Sequence, residues 1–252
     1  MLTKTELKYY SSLLIKKYRR EENKILVEGR KLISEAIGSG YECEILFAEK
    51  ESFEEDKDFS ALIQKRKIKI EFLKAAELSK LSDTKTNQGL IAVFRTAKLT
   101  DHTSAKQNLI VALENVSDPG NMGTIIRNCD WFGIKEIILS DDCAEAFNPK
   151  VIRASAGSVF HVGVYESKNF YAELENRKKS GYKILCADLK GENIYSFEVA
   201  DKLIVVFANE GSGPTQYLKQ LTDIFITIPR KGSAESLNVA SASAIILSEL
   251  TK

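Results

Sequence analysis

Ile226-Thr-Ile-Pro-Arg-Lys-Gly-Ser-Ala-Glu-Ser-Leu-Asn-Val-Ala-Ser-Ala-Ser-Ala244 is the stretch on which the fold turns. Ile224, Ile226 and Ile228 alternate with polar or aromatic neighbours, as the residues of one strand face do, and Pro229 ends the strand. The run from Val239 to Leu250 is apolar and small, without Gly or Pro, and predicts a helix over 237–250. Ser236 and Asn238 sit where helix caps belong, and a helix start has free N–H groups to offer a ligand. A strand, a ligand-holding loop and a capped helix are therefore expected here.

Upstream of this stretch, apolar runs predict strands at 109–113, 137–139, 161–165, 183–187, 203–207 and 224–228. Helix-length segments near 122–132, 149–156, 169–179 and 214–221 separate them. Continuous apolar strands alternating with helices indicate an α/β domain with a mostly parallel sheet covered on both faces. In such sheets ligands sit beyond the carboxyl ends of the strands, so the loops after Leu113, Phe207 and Ile228 belong together. Residues 1–97 read as a smaller α/β domain. One helix is expected over 4–20 from the spacing of Leu7, Tyr10, Leu14 and Tyr18, and others at 30–39, 59–66 and 75–81. Strands are expected at 24–28, 43–48, 68–72 and 89–94, with an acidic loop over 51–58. Residues 98–107 are polar and aperiodic, the expected linker to a second domain at 108–252.

At 252 residues and 44% hydrophobic side chains, the composition is that of a soluble globular protein. Cys43, Cys129, Cys143 and Cys186 form no Cys-x-x-Cys pair, and only His102 and His161 could assist them, so no metal site is expected. The polar start and the lack of any apolar run of ~18 residues lead to the expectation of a cytoplasmic protein with reduced thiols. The net charge is +1, but residues 1–97 carry 19 basic against 16 acidic side chains. Clusters at Lys16-Lys17-Tyr18-Arg19-Arg20 and Lys65-Arg66-Lys67 read as solvated faces or, more sharply, as a surface that tracks phosphates.

Three loops carry the chemistry. In the first, Asp118-Pro119-Gly120-Asn121 predicts a turn and Gly123 a helix start, which puts Arg127 about one turn into the helix. An arginine there can hold a phosphate or carboxylate with two hydrogen bonds, although a solvated helix face explains it too. In the second, a buried strand runs into Asn209-Glu210-Gly211-Ser212-Gly213, which places an acid at a strand's carboxyl end, and Pro214 suits a first helical turn. The third is the opening stretch. Each is weak alone; together Arg127, Glu210, Ser236 and Asn238 form a candidate active site.

Asp118–Arg127, Phe207–Gly213 and Ile228–Val239 resemble, in order and spacing, the three signature motifs of the SpoU (TrmH) RNA 2′-O-ribose methyltransferases of the SPOUT superfamily. Asn148–Gly157 is similar to a family segment between the first two motifs. Ile25–Arg30 with Asn87–Val93 is similar to the family's substrate-binding domain. The resemblance implies a C-terminal α/β trefoil-knot domain preceded by a small α/β RNA-binding domain, and a homodimer in which the catalytic arginine can serve the partner's site. It also implies S-adenosylmethionine as cofactor, held at Ala208, Gly211, Ile228, Pro229, Leu237 and Asn238, with Ala208 standing where the family usually has glycine.

The implied catalytic set is Arg127, as base or phosphate anchor; Asn121, positioning the ribose or Arg127; Glu210, orienting the arginine and hydroxyl network; and Ser236 and Asn238 at the transfer site. Ribosomal RNA is the expected substrate. Transfer RNA, base methylation, and a non-catalytic RNA-binding or ribosome-assembly role are the alternatives.

Overall fold

The computed structural model describes residues 2–96 and 107–252, which divide by their contacts into two compact units. The linker expected at 98–107 lies, apart from Gln107, outside the described residues.

The first unit holds residues 2–96 together with Phe147–Phe160. Its strands are β1 (Lys24–Glu28), β2 (Cys43–Ala48), β3 (Ile70–Phe72) and β4 (Leu90–Arg95), in the order β1-β4-β2-β3. β4 pairs antiparallel with both β1 and β2, and β2 pairs parallel with β3. Leu26, Phe47, Leu78, Ile91 and Val93 build one core cluster with Leu13.

Leu13 explains why the helix expected over 4–20 is two helices, α1 (Lys4–Ser12) and α2 (Lys16–Glu22). The chain breaks between them to bury Leu13 completely, and buried Arg19 donates from Nη1 to the Leu13 carbonyl at 2.9 Å. Arg19 is thereby withdrawn from the basic cluster expected on this helix. After α3 (Arg30–Gly38), the acidic loop expected over 51–58 is largely helical. α4 (Lys50–Glu54) turns Phe53 inward, and Asp56 caps α5 (Lys57–Lys65) by accepting from the Phe59 amide. α6 (Ala75–Leu78) completes the N-terminal set.

The second unit holds residues 107–146 and His161–Lys252. Six strands, β5 (Leu109–Glu114), β6 (Glu136–Leu139), β7 (Gly163–Glu166), β8 (Lys183–Asn193), β9 (Leu203–Ala208) and β10 (Ile224–Thr227), form one wholly parallel sheet in the order β10-β8-β9-β5-β6-β7. β5 and β9 are apolar along almost their whole length and fully buried at Ile110, Ala112, Ile204 and Val206, as strands covered on both faces must be. The helices are α7 (Pro119–Trp131), α9 (Phe170–Lys179), α10 (Gln216–Leu221) and α11 (Val239–Leu250). Between α7 and α9 in sequence, α8 (Pro149–Ala154) belongs to the first unit.

That grouping differs from a division at residue 108. Within the first unit the Tyr41 ring meets Phe147 and Phe160 edge-on, and Arg153 makes a bidentate pair with Asp83.

Helix starts also move. Pro119 is the first residue of α7, with Asp118 as its cap accepting from the Asn121 amide at 2.8 Å. The expected Asp-Pro-Gly-Asn turn is a capped helix start with proline at the position where a missing N–H costs nothing. Arg127 therefore lies more than two turns along α7, not one. Thr215, rather than Pro214, leads into α10, and Asn238 into α11.

β8 is longer than expected. β10 pairs with Leu185 and Cys186 and then skips to Glu192 and Asn193, so residues 187–191 swing out of the ladder. Gly191 permits this, since a Cβ there would stand 2.4 Å from the Phe225 carbonyl oxygen.

Candidate active site

The loops after β5, β9 and β10 meet at the carboxyl edge of the parallel sheet, and Glu210 is where they are tied. Its Oε1 accepts from Asn121 Nδ2 at 3.1 Å, from Asn238 Nδ2 at 2.7 Å and from the Val239 amide at 2.7 Å. The second hydrogen of the Asn238 amide goes to Asn121 Oδ1 at 2.9 Å. Asn238 Oδ1 caps α11, accepting from the Ala240 and Ser241 amides. Asn121 in the first turn of α7, Glu210 in the loop after β9 and Asn238 at the cap of α11 thus close a triangle. A carboxylate on the first N–H of α11 also lies at the positive end of the helix dipole.

Residues not anticipated from sequence hold Glu210 in place. Asn209 donates from Nδ2 to the Asn115 carbonyl at 2.9 Å, while its Oδ1 accepts from the Gly211 and Ser212 amides and folds the loop back. Asn115 is in the left-handed region at φ 58 and is fixed through its amide and Oδ1 by Ser140 Oγ. Glu114, completely buried, accepts from Tyr171 Oη at 2.8 Å, Thr215 Oγ1 at 2.6 Å and the Thr215 amide at 3.0 Å. It satisfies its lone pairs without a cation. The usable signal was an acid and an asparagine ending an otherwise apolar strand.

Beside the triangle opens a cleft of about 580 Å³. Phe207, Ile226, Val239 and Ile246 give it an apolar floor. Ala208, Gly211, Ile228, Pro229 and Leu237, all expected at a cofactor, line it, as does Ser236. Asn238 does not; its amide is spent on the triangle. The outward swing of β8 contributes Ala187, Asp188 and Leu189. Ser236 is an exposed loop residue and caps nothing, since Asn238 alone does so.

Arg127 stands apart. It is exposed on α7, does not line the cleft, and makes no hydrogen bond or ion pair among the described residues. Within one chain it is not bonded to Glu210; Glu210 is bonded to Asn238, and Glu210 and Ser236 line the cleft. One residue along, Asn128 reaches the Ala240 carbonyl at 3.0 Å and Ser243 Oγ at 2.9 Å, which locks α7 to α11. Burial pushes the Cys186 thiol up to about 12 and raises Cys143 as well. Among the described residues no helix is long and apolar enough to cross a membrane.

Residues 108–248 match the model of the SpoU rRNA Methylase family, and residues 4–92 match the MRM3-like substrate binding domain. The 23S rRNA (guanosine(2553)-2′-O)-methyltransferase RlmP of Bacillus subtilis is 31% identical over 97% of this chain and 95% of its own. A putative RNA methyltransferase of the TrmH family from Porphyromonas gingivalis superposes with TM-score 0.86 at 32% identity, covering 99% of this chain and 98% of its own. An AdoMet-bound rRNA methyltransferase from Sinorhizobium meliloti does so with TM-score 0.85 at 26% identity, over 99% and 95%.

Proposed function

The chain belongs to the SpoU rRNA methylase family, and on that premise we propose that it is an S-adenosylmethionine-dependent methyltransferase acting on a ribose 2′-hydroxyl of ribosomal RNA. The observation that carries this reading is the Asn121–Glu210–Asn238 triangle beside a cleft with an apolar floor and exposed loop backbone at its rim.

The residues present suit the cofactor. An adenine needs apolar walls and in-plane backbone partners. Phe207, Ile226 and Ile246 supply the walls, and the loops through Gly211 and Ile228–Leu237 supply the backbone groups. A Cβ on Gly211 would meet only Asn209 Oδ1, at 3.5 Å, so the backbone there is open to a ligand. When bound, the cofactor supplies a methyl group on sulfonium that is already activated for displacement. Transfer would exchange the donor's C–S bond for a C–O bond at the ribose and give the hydroxyl proton to solvent water.

What the chain must add is orientation and a place for that charge. Asn121 and Glu210, with their bonds spent on each other's loops, act as positioning residues that fix the cleft wall. Ser236, free on the rim, is the hydroxyl available to the reacting ribose. Arg127 anchors a phosphate and stabilises developing charge. A guanidinium, which keeps its proton throughout the physiological range, is a poor base.

Arg127 being exposed and unpaired on α7 favours action at a second copy's cleft, and the homodimer is proposed with it. The trefoil knot belongs to the same reading. Support comes from β10, which passes over β9 to pair with β8, so that chain order β8-β9-β10 becomes spatial order β10-β8-β9.

The test is transfer from S-adenosyl-[methyl-³H]methionine to unmodified rRNA and tRNA transcripts, with mapping by alkaline cleavage. Label at an alkali-resistant position in rRNA is expected. Label confined to tRNA, or to a base with cleavage intact, would replace this reading. Absence of cofactor binding at millimolar concentration would leave the non-catalytic one.

A further inference from the structure

We propose that Arg230 and Lys231 form an anion clamp at the mouth of the cleft, and that it takes a backbone phosphate of the RNA beside the nucleotide being modified. This rests on the methyltransferase reading.

The floor of the cleft is apolar and its charged lining is mostly acidic, with Asp188, Glu210 and Glu235. Arg230 and Lys231 are its two cations, adjacent and both exposed. Neither is neutralised: no ion pair joins either to a carboxylate among the described residues, although Glu235 lies on the same loop. Arg230 is nonetheless braced. Its Nη1 donates to the Ala234 carbonyl at 3.2 Å, across the loop, and its other donors are not bonded to the described residues. The loop itself is held at both ends. Thr227 Oγ1 donates to the Leu189 carbonyl at 3.2 Å on one side, and Asn238 is fixed in the triangle on the other. A guanidinium fixed by one hydrogen bond beside an exposed ammonium is a pairing suited to a phosphodiester, the arginine giving direction and the lysine charge.

Two anions could reach this place: an RNA phosphate, and the carboxylate of the methionine moiety of the donor. Exposure favours the phosphate. Leu189 and Leu237, 69% and 48% exposed, flank the same opening and offer apolar surface to a ribose or base next to that phosphate. Phosphate contacts fix register and carry no sequence information, so the clamp would set where the strand lies over the donor and not which base is chosen.

The test uses the full chain with Arg230→Gln and Lys231→Gln together, a 23S rRNA transcript in filter binding across a KCl series, and calorimetry with S-adenosylmethionine. Loss of two phosphate contacts should lower the salt slope by about 1.4–1.8 and weaken RNA binding roughly tenfold or more at low salt. Cofactor affinity should stay within about twofold, and the charge-conserving pair Arg230→Lys with Lys231→Arg should restore the slope. An unchanged slope overturns the clamp. So does a tenfold loss of cofactor affinity with RNA binding intact, which would give the anion to the donor's carboxylate. A wild-type chain that binds no cofactor would instead sink the methyltransferase reading, and the salt slope would still decide the clamp.

Discussion

Glu210 and Arg127 carry opposite charges in the same unit and both reach its surface, yet the fold treats them in opposite ways. Glu210 spends one oxygen on three donors from two other loops, while Arg127 is bonded to nothing in the described chain. A side chain tied so fully to its own protein is committed to shape. One left free on a helix that is itself locked, through Asn128, to α11 has a fixed origin and an unspent charge. The difference separates side chains that build the wall of the cleft from one whose charge the chain leaves unspent.

Arg127→Ala gives the largest expected effect and can break the comparison outright. Turnover should fall on the order of 10²–10³-fold, as for loss of one charge-stabilising donor. Cofactor affinity should hold, and stability should change by no more than about 0.5 kcal/mol, because the side chain is exposed and unbonded. Mixing Arg127→Ala with Asn238→Ala, both inactive, should then restore activity at about a quarter of the wild-type sites if each arginine serves its partner. No recovery would return Arg127 to its own cleft.

Glu210→Ala is next. It should cost about 0.5–1.5 kcal/mol in thermal or denaturant unfolding, since the part-buried Val239 amide and two exposed asparagine amides lose their acceptor. It should also weaken cofactor binding, the wall of the cleft being loosened. A variant with native stability and normal cofactor affinity would show the triangle to be incidental.

How much of this was legible in the sequence depends on whether a feature is local. The parallel strands were, because Ile110–Leu113 and Leu203–Phe207 are apolar runs that only a doubly covered sheet accommodates. The start of α7 was misplaced because Pro-Gly-Asn is a turn signal on any local scale. What decides for a helix is the bond from the Asn121 amide to Asp118, which composition does not display. Leu13 could not be separated from the periodicity of its neighbours until the core claimed it. Phe147–Phe160 read as part of the larger domain because it lies inside it in sequence. Its grouping rests on Tyr41 and Asp83, more than sixty residues upstream by the chain numbering. The three motif loops were found individually, but the triangle was not, since spacing says that loops share a sheet edge and not which amide meets which carboxylate. Arg127 was assigned to the same cluster for that reason.

A smaller effect concerns groups buried and unused by the site. Burial pushes the Cys43 and Cys186 thiols up to about 12 and raises Cys129 and Cys143 too. Cys129, Cys143 and Cys186, all buried, should therefore resist a thiol-reactive disulfide reagent at pH 8 in the native state and react together on unfolding, with half-buried Cys43 the most accessible of the four. The sign for stability follows. A group whose value is raised by folding favours the folded state below its unfolded value and loses that contribution as pH rises. The melting temperature should accordingly decline from about pH 9 upward. Rapid native-state labelling of Cys129, Cys143 or Cys186 would contradict their burial.

The smallest expected effect is at Ala208, where the family usually has glycine. Its backbone is that of β9, outside the positive-φ region, and its side chain is 8% exposed at the edge of the cleft. The methyl therefore costs no backbone strain, and what it could obstruct is only close approach of a ligand. If the donor is held there by backbone groups, Ala208→Gly should tighten cofactor binding by no more than about threefold, while costing about 0.5–1 kcal/mol in strand stability. Calorimetry and unfolding on the one variant measure both terms. A much larger gain in affinity would mean that the methyl crowds the donor, and that this wall is less finished than the triangle beside it.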